Sequence, residues 1–188
     1  MAFIARHKDT RERIDITRYA RPRDELQAGR LICQFCDQEM IIRHGMIVRA
    51  HFAHKVACTT PYVGHPESPE HRFGKMLVAE HLRQEVAEYS DARIEFEFPI
   101  PEVRRIADIL VIFPNGWRVA HEIQLASITV EYLQQRTEDY LRAGIDVVWW
   151  LGKSADTPAN RAWCEQYFGE SLGLDMQILA RALADEDL

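Results

Sequence analysis

The chain reads as an α+β protein of the α/β kind, in which a small β-rich module precedes an α-β-β-β-α-β core with a mixed sheet. Three observations carry that expectation. Residues 104–125, RRIADILVIFPNGWRVAHEIQL, form two apolar β-type runs joined by Pro114-Asn115-Gly116, which is turn chemistry. Before them lies an apolar stripe at helical spacing: Phe73, Leu77, Val78, Leu82 and Val86. After them come a second helical segment and the apolar run Val147-Val148-Trp149-Trp150-Leu151. A strand reached through a helix tends to lie parallel to a neighbour, so the sheet is mixed, with helices packed on it.

Taken in order, residues 1–62 form the N-terminal module, 63–155 the core and 156–188 a C-terminal extension. In the module, Ala2 to His7 and Arg13 to Tyr19 are short strands, and Ala20 to Gly29 is a turn and short helix. Gln38 to Ile42 and Met46 to Ala50 form a hairpin turning at His44-Gly45. In the core, Ser68 is a good N-cap, Pro69 suits the first turn and Glu70 suits the helix dipole, so a helix runs to about Tyr89. Arg93 to Pro99 alternates polar and apolar, as a half-buried strand does. Ser127 caps a helix from about Ile128 to Ala143, which stops at Gly144. In the extension, Pro158 to Phe168 is helical, Leu174 to Leu183 is a strand or helix, and the DEDL tail is frayed.

The chain has 188 residues, 47% hydrophobic and 28% charged, which suits a globular protein with a good core. No apolar run approaches the roughly 18 residues of a membrane helix, and MAFIARHKDTRER lacks the features of a signal peptide. A cytoplasmic location without a membrane partner is the expectation. The net charge of −6 is uneven: +4 over residues 1–62, then −5 and −5 over the other two segments. The basic front end can hold phosphates.

Three of four cysteines fall between positions 33 and 58, beside histidines. Cys33 and Cys36 form a C-x-x-C, His51 and His54 an H-x-x-H, and Cys58 follows. In a reducing compartment such clustering points to metal rather than disulfides. A C-x-x-C turn lets two sulfurs face one ion, and four N/S ligands complete the tetrahedron of a structural Zn²⁺. The spacing resembles a Cys2His2 site of Cys33, Cys36, His51 and His54. Cys58 is the alternative fourth ligand, and the choice between His51 and Cys58 stays open. Such an ion would also hold together a segment with few large apolar residues. The fourth cysteine, Cys164, is expected in the core.

In the hairpin one acidic residue interrupts each apolar run, Asp108 and then Glu122. A carboxylate buried in a sheet costs several kcal/mol unless it is paired or binds a metal. Two on adjacent strands therefore mark a site. Gln124 shares a face with Glu122, and the carbonyl of Ile123 lies nearby. Glu70, His71 and Lys75 cluster at the start of the preceding helix, with His71 and Lys75 on one face. Each alone is an ordinary helix-surface residue; their grouping before the paired carboxylates suggests function. Gln135, Arg136 and Tyr140 on the following helix can look toward the carboxylates. Asp108 and Glu122 suit Mg²⁺ or Mn²⁺, which are held by one or two carboxylates, waters and substrate phosphate. Such an ion polarises a scissile phosphate and activates water. Gln124 or Lys75 can orient that water or stabilise charge, and His71 can act as acid or base.

An Asp on one strand and a variant of Glu-x-Lys on the next, inside this element order, resemble the PD-(D/E)XK nuclease superfamily. More narrowly, CQFC with HFAH, ESPEHRFGK, RIADILV and HEIQLASITVEYLQQRTEDYLRAGIDVVWWL together resemble the competence protein CoiA family of predicted nucleases, over roughly residues 30–151. The resemblance implies a zinc-ribbon-like module before a metal-dependent nuclease core, with Asp108 and Glu122 as metal ligands. It places Glu67, Glu70 and His71 near the metal, Glu70 ranked before Glu67. Gln124 stands where the superfamily usually has Lys, and Lys75 is the candidate for the missing charge.

The expected function is metal-dependent hydrolysis of DNA in processing, uptake, recombination or defence. The alternatives are a nucleic-acid-binding protein that has lost catalysis, and a zinc-stabilised interaction module whose acidic pair is satisfied by Arg104, Arg105 or Arg118. DNA is the expected partner, with a protein partner or a second copy left open.

Overall fold

A computed structural model describes residues 2–44, 49–58 and 67–185, with side chains described as far as residue 181. The chain divides into two compact units, Met1–Ser68 and Pro69–Leu188. The boundary expected at 62/63, the turn residue Gly45, most of the strand expected at Met46–Ala50 and the last three tail residues lie outside the described residues. No helix among the described residues is long and apolar enough to cross a membrane.

In the first unit, β1 (Ile4–His7) lies between β2 (Arg13–Asp15) and β3 (Leu31–Ile32), antiparallel to both. A separate antiparallel pair joins β4 (Met40–Arg43) to β5 (His51–His54), with Met40 opposite His54 and Arg43 opposite His51. Phe3, Ile4, Leu31, Met40 and Phe52 are buried. The strand expected to run to Tyr19 ends at Asp15 because that side chain bends the chain. Its Oδ1 accepts from the Thr17 amide at 3.0 Å and hydroxyl at 2.7 Å, and Ile16–Arg18 become a 3-10 turn. The expected helix shrinks to the single turn α1 (Pro22–Glu25), since Leu26 is already extended.

The second unit starts with α2 (Pro69–Gln84). This helix stops short of Tyr89: Val86 is extended, and Ala87–Tyr89 form a 3-10 turn that delivers the Tyr89 hydroxyl to His121 Nε2 at 3.2 Å. Then follow β6 (Arg93–Ile100), β7 (Arg105–Ile112), β8 (Arg118–Gln124), α3 (Val130–Arg142) and β9 (Asp146–Leu151). The order is α-β-β-β-α-β. The cap of α3 is Thr129, not Ser127; its side chain accepts from the Tyr132 amide.

The C-terminal segment contributes α4 (Pro158–Phe168), the short strand β10 (Leu172–Gly173) and α5 (Met176–Asp185). Leu174 is thus the end of a strand connection, and the following apolar stretch is a helix. The five-stranded sheet runs β10-β9-β8-β7-β6. The two meander pairings are antiparallel and the pairings of β8 with β9 and β9 with β10 are parallel, so the sheet is mixed. Helix α3 covers the face carrying Leu110, Ala120 and Trp149, and buries Leu133 and Tyr140 there with Cys164 from α4. Helix α2 packs against β7, β8 and α5. Its Gly74 allows a close approach, because a Cβ there would meet the Ile123 side chain at 3.3 Å.

Candidate functional site

The β7–β8 ladder is regular from Ile112 opposite Arg118 to Ile109 opposite His121. The next opposed residues are Asp108 and Glu122, and there backbone pairing gives way to side chains. The Ile123 amide donates to Asp108 Oδ2 at 3.0 Å, and the Asp108 amide donates to Glu122 Oε1 at 3.3 Å. Asp108 is also unpaired on its other side. Phe96 pairs with Ile109 and Phe98 with Ala107, while Glu97, between them and facing Asp108 in register, has φ +49°. A non-glycine residue in that region inside a strand is strained and interrupts the ladder. The sheet is therefore opened on both sides of Asp108.

Glu122 is 1% exposed and held by α3. Oε1 accepts from the Tyr140 hydroxyl at 2.7 Å, and Oε2 is paired with Arg136 Nη2. Arg136 and Tyr140 are four apart and so share a helix face; Gln135 points out to solvent. The Arg136 guanidinium also sits 5.2 Å over the Trp149 ring. Burial pushes the Glu122 carboxyl up, the charge of Asp108 adds to that, and Arg136 with the Tyr140 hydroxyl opposes it. For Asp108 the balance falls the other way. Burial would raise it, but the His71 imidazole, with Lys75 and Arg136 beyond it, holds it at about 2.

From α2, His71 Nε2 lies 3.1 Å from Asp108 Oδ2 and 2.8 Å from the Ile123 carbonyl oxygen. Lys75, one turn on, is 1% exposed, and its ammonium donates to Glu97 Oε1 at 2.9 Å. Its charge thus has a buried partner that the sequence pattern did not reveal, since Glu97 reads there as one more alternating polar residue. Gln124 is half-buried and its amide nitrogen donates to the Ala126 carbonyl at 2.8 Å. Glu70 is exposed on the first turn of α2. His71 and Asp108 come together, while Glu122 meets Asp108 through its backbone amide and keeps its carboxylate on α3, outside the group of ligand atoms that His71 and Asp108 share; Lys75 pairs with Glu97, and Gln124 turns to its own chain. Arg104, Arg105 and Arg118 do not satisfy the acidic pair. Arg105 binds Asp139 at 2.6 Å and Arg118 the Ala143 carbonyl at 2.6 Å, and Arg136 takes the role instead.

In the first unit Cys33, Cys36, His54 and Cys58 each offer a ligand atom, all within 4.8 Å of one another. The Cys33 and Cys58 sulfurs are 4.0 Å apart and unbonded, and Cys36 Sγ lies 3.3 Å from His54 Nε2. Tetrahedral zinc with bonds of about 2.3 Å to sulfur sets its ligands roughly 3.8 Å apart, so this donor set fits that ion. The turn has knuckle geometry: the Phe35 amide donates to Cys33 Sγ at 3.4 Å, the Asp37 amide to the Cys33 carbonyl at 3.1 Å, and Asp37 has φ +57°. Burial, with the neighbouring Cys36 and Cys58 thiols, pushes the Cys33 thiol up to about 12 despite two backbone amides that oppose it. A bound cation reverses that cost. Burial lowers His54, which keeps the ring neutral. His51 stands outside the group. It is buried, with Nδ1 3.0 Å from the Arg49 carbonyl, because its position in β5 alternates away from His54. Cys58 takes its place.

The family model of the competence protein CoiA nuclease-like domain matches residues 67–167, and that of the CoiA N-terminal domain matches residues 18–61. The chain belongs to the CoiA family. It is 29% identical over 140 residues to competence protein CoiA of Bacillus subtilis (strain 168), an alignment covering 72% of this chain and 35% of that protein. The chain thus spans about a third of the length of that CoiA relative. Among solved structures, a repair endonuclease from Pyrococcus abyssi superposes with a TM-score of 0.36 at 16% identity, covering 59% of this chain and 47% of the other. A superposition that loose bears on neither fold nor function. The nuclease-like domain of CoiA spans α2 to α4 and includes Asp108, Glu122 and His71.

Proposed function

We propose that the second unit is a divalent-metal-dependent nuclease of the PD-(D/E)XK kind that hydrolyses DNA phosphodiesters, and that the first unit is a zinc-stabilised module. The observation that carries the reading is the opening of the sheet at Asp108 and Glu122. Two carboxylates and the Ile123 carbonyl stand there at the edge of the pairing, with an imidazole from α2. Oxygen donors of this type suit Mg²⁺ or Mn²⁺. When bound, such an ion would polarise the phosphate and lower the pKa of a water.

The chain's own residues do the rest. Asp108 stays ionised at neutral pH because His71, Lys75 and Arg136 outweigh its burial. Arg136 and Tyr140 fix the rotamer of Glu122. Lys75 and Glu97 set the charge behind Asp108 as a pair. Gln124 can offer its amide to a water or a phosphate oxygen, but supplies no charge.

A second reading, binding of nucleic acid without cutting, is favoured by one observation: Gln124 is turned to the Ala126 carbonyl. A metal titration of cleavage on linear, circular and single-stranded DNA separates the two. Wild type is expected to cut with Mg²⁺ or Mn²⁺, and Asp108→Ala and Glu122→Ala are not. Cutting that survives both substitutions would end the assignment of cleavage to Asp108 and Glu122, and binding without cutting would select the second reading.

A further inference from the structure

A DNA strand carries a negative charge at each nucleotide, and much of its affinity comes from the cations that meet those phosphates. The cations inside the site are already engaged: Lys75 with Glu97 and Arg136 with Glu122. Gln124 is uncharged. The parallel strands β8 and β9 end side by side here, with Glu122 opposite Trp149 and Gln124 opposite Leu151. The chain then turns. The Ala155 amide donates to the Gly152 carbonyl at 2.8 Å, which puts Lys153 and Ser154 at the two central positions of the turn. Both residues are exposed. Among the described residues no carboxylate pairs with the Lys153 ammonium, and no acceptor takes the Lys153 or Ser154 amide.

The turn has a rigid base. The Gly152 amide donates to the Gln124 carbonyl at 2.9 Å. A Cβ on Gly152 would stand 2.8 Å from the Leu125 side chain and 3.2 Å from Leu125 Cα, so the lack of a side chain lets the turn lie against the exit of β8. Asn160, 1% exposed, donates from Nδ2 to the Ala155 carbonyl at 2.8 Å and to the Ile128 carbonyl at 3.0 Å, which ties the turn to the segment leaving β8. Asp156, the acid nearest in sequence, is held by Arg161 at 2.6 Å. Ile123 is in register with Trp150. Lys153 therefore lies within about 10 Å of that level along the strand, at about 3.3 Å per residue. That is about three nucleotides, at about 3.4 Å of axis each.

We infer that the Lys153 ammonium, with the exposed amides of Lys153 and Ser154, is a subsite for a DNA backbone phosphate beside the point of cleavage. The inference rests on the nuclease reading. An ammonium on a flexible stem offers three donors and a full charge, and two successive amides add dipoles directed at the same anion. Such contacts position a strand and carry no sequence information.

The test is fluorescence anisotropy of the full chain with labelled single-stranded and double-stranded DNA, with Ca²⁺ in place of Mg²⁺ to hold cutting back. Lys153→Gln should weaken binding about three- to tenfold whatever the base sequence, and lower the slope of log affinity against log salt by about one. Lys153→Arg should keep most of the affinity. Arg93→Gln removes the same charge at the hairpin end of the sheet, where Arg93 is in register with Ile112, and should change affinity less than twofold. If Lys153→Gln binds as wild type does, or weakens no more than Arg93→Gln, the inference falls, while metal-dependent cutting lost in Asp108→Ala leaves the nuclease reading standing. If wild type neither binds nor cuts either DNA, both fall.

Discussion

Lys75 and Glu97 form a buried ion pair, Nζ to Oε1 2.9 Å, at the point where the β6–β7 ladder breaks opposite Asp108. The side chains are 2% and 10% exposed, so water screens the pair little. Removing one partner leaves a charge in a poorly solvated place. Glu97→Ala is therefore expected to cost about 3 kcal/mol or more in urea unfolding, and Lys75→Met with Glu97→Leu together clearly less than the sum of the single changes. A single-variant loss below about 1 kcal/mol would show that the pair is not buried as described.

The hydroxyl of Tyr140 is the neutral half of the clamp on Glu122. Tyr140→Phe keeps the ring in the core and removes one donor to a buried carboxylate. The expected loss is about 1–3 kcal/mol of stability, read as a lower urea midpoint. Turnover on DNA should fall with KM little changed, because the hydroxyl orients Glu122 and touches no substrate. A change confined to KM would contradict that role.

The cysteine cluster makes a sharper distinction than spacing allowed. Metal analysis of freshly purified protein should find a single zinc. Cys33→Ser and Cys58→Ser should lose it, whereas His51→Gln should retain it, since His51 lies outside the ligand group. Chelation should unfold the first unit. Zinc retained in Cys58→Ser and lost in His51→Gln would reverse the assignment.

His121, on the face of β8 opposite Glu122, is buried beneath Tyr89 and Trp150. The Trp150 indole donates to Nδ1 at 3.1 Å, which fixes the neutral ring with its hydrogen on Nε2. Burial first, with nearby His81 adding to it, lowers this histidine to about 3. The unfolded chain binds a proton at about 6.5. Between those values the unfolded state holds more protons, so the contribution is complete above about 6.5 and is lost as pH falls toward 3. The slope from this group approaches 1.4 kcal/mol per pH unit. Urea midpoints of wild type should drop over that window more steeply than those of His121→Phe, and parallel curves would contradict this.

Much of the architecture was legible in the chain. Periodicity marked α2 and α3, the Pro-Asn-Gly turn marked the β7–β8 hairpin, and the helix before β9 implied that this strand lies parallel to a neighbour, which the fold shows to be β8. These signals are local, or follow from chain connectivity. The misplacements are local too. A Ser127 cap and a Thr129 cap have the same chemistry, so only the observed bond to Tyr132 chooses between them. The helix after Gly173 could be read as strand or helix because a short apolar run serves both.

Within the site, the sequence alone singled out Asp108 and Glu122, as charges interrupting apolar strands, and Cys33, Cys36 and His54, as clustered soft ligands. Tertiary structure decided their partners. It set Arg136 and Tyr140 on Glu122, placed Glu97 against Lys75 through a backbone reversal with no sequence signature, seated His71 on the Ile123 carbonyl, and preferred Cys58 to His51. The physical reason is range. A buried charge is conspicuous from its neighbours in sequence, but what compensates it comes from wherever the fold brings an opposite charge or a donor within about 3 Å.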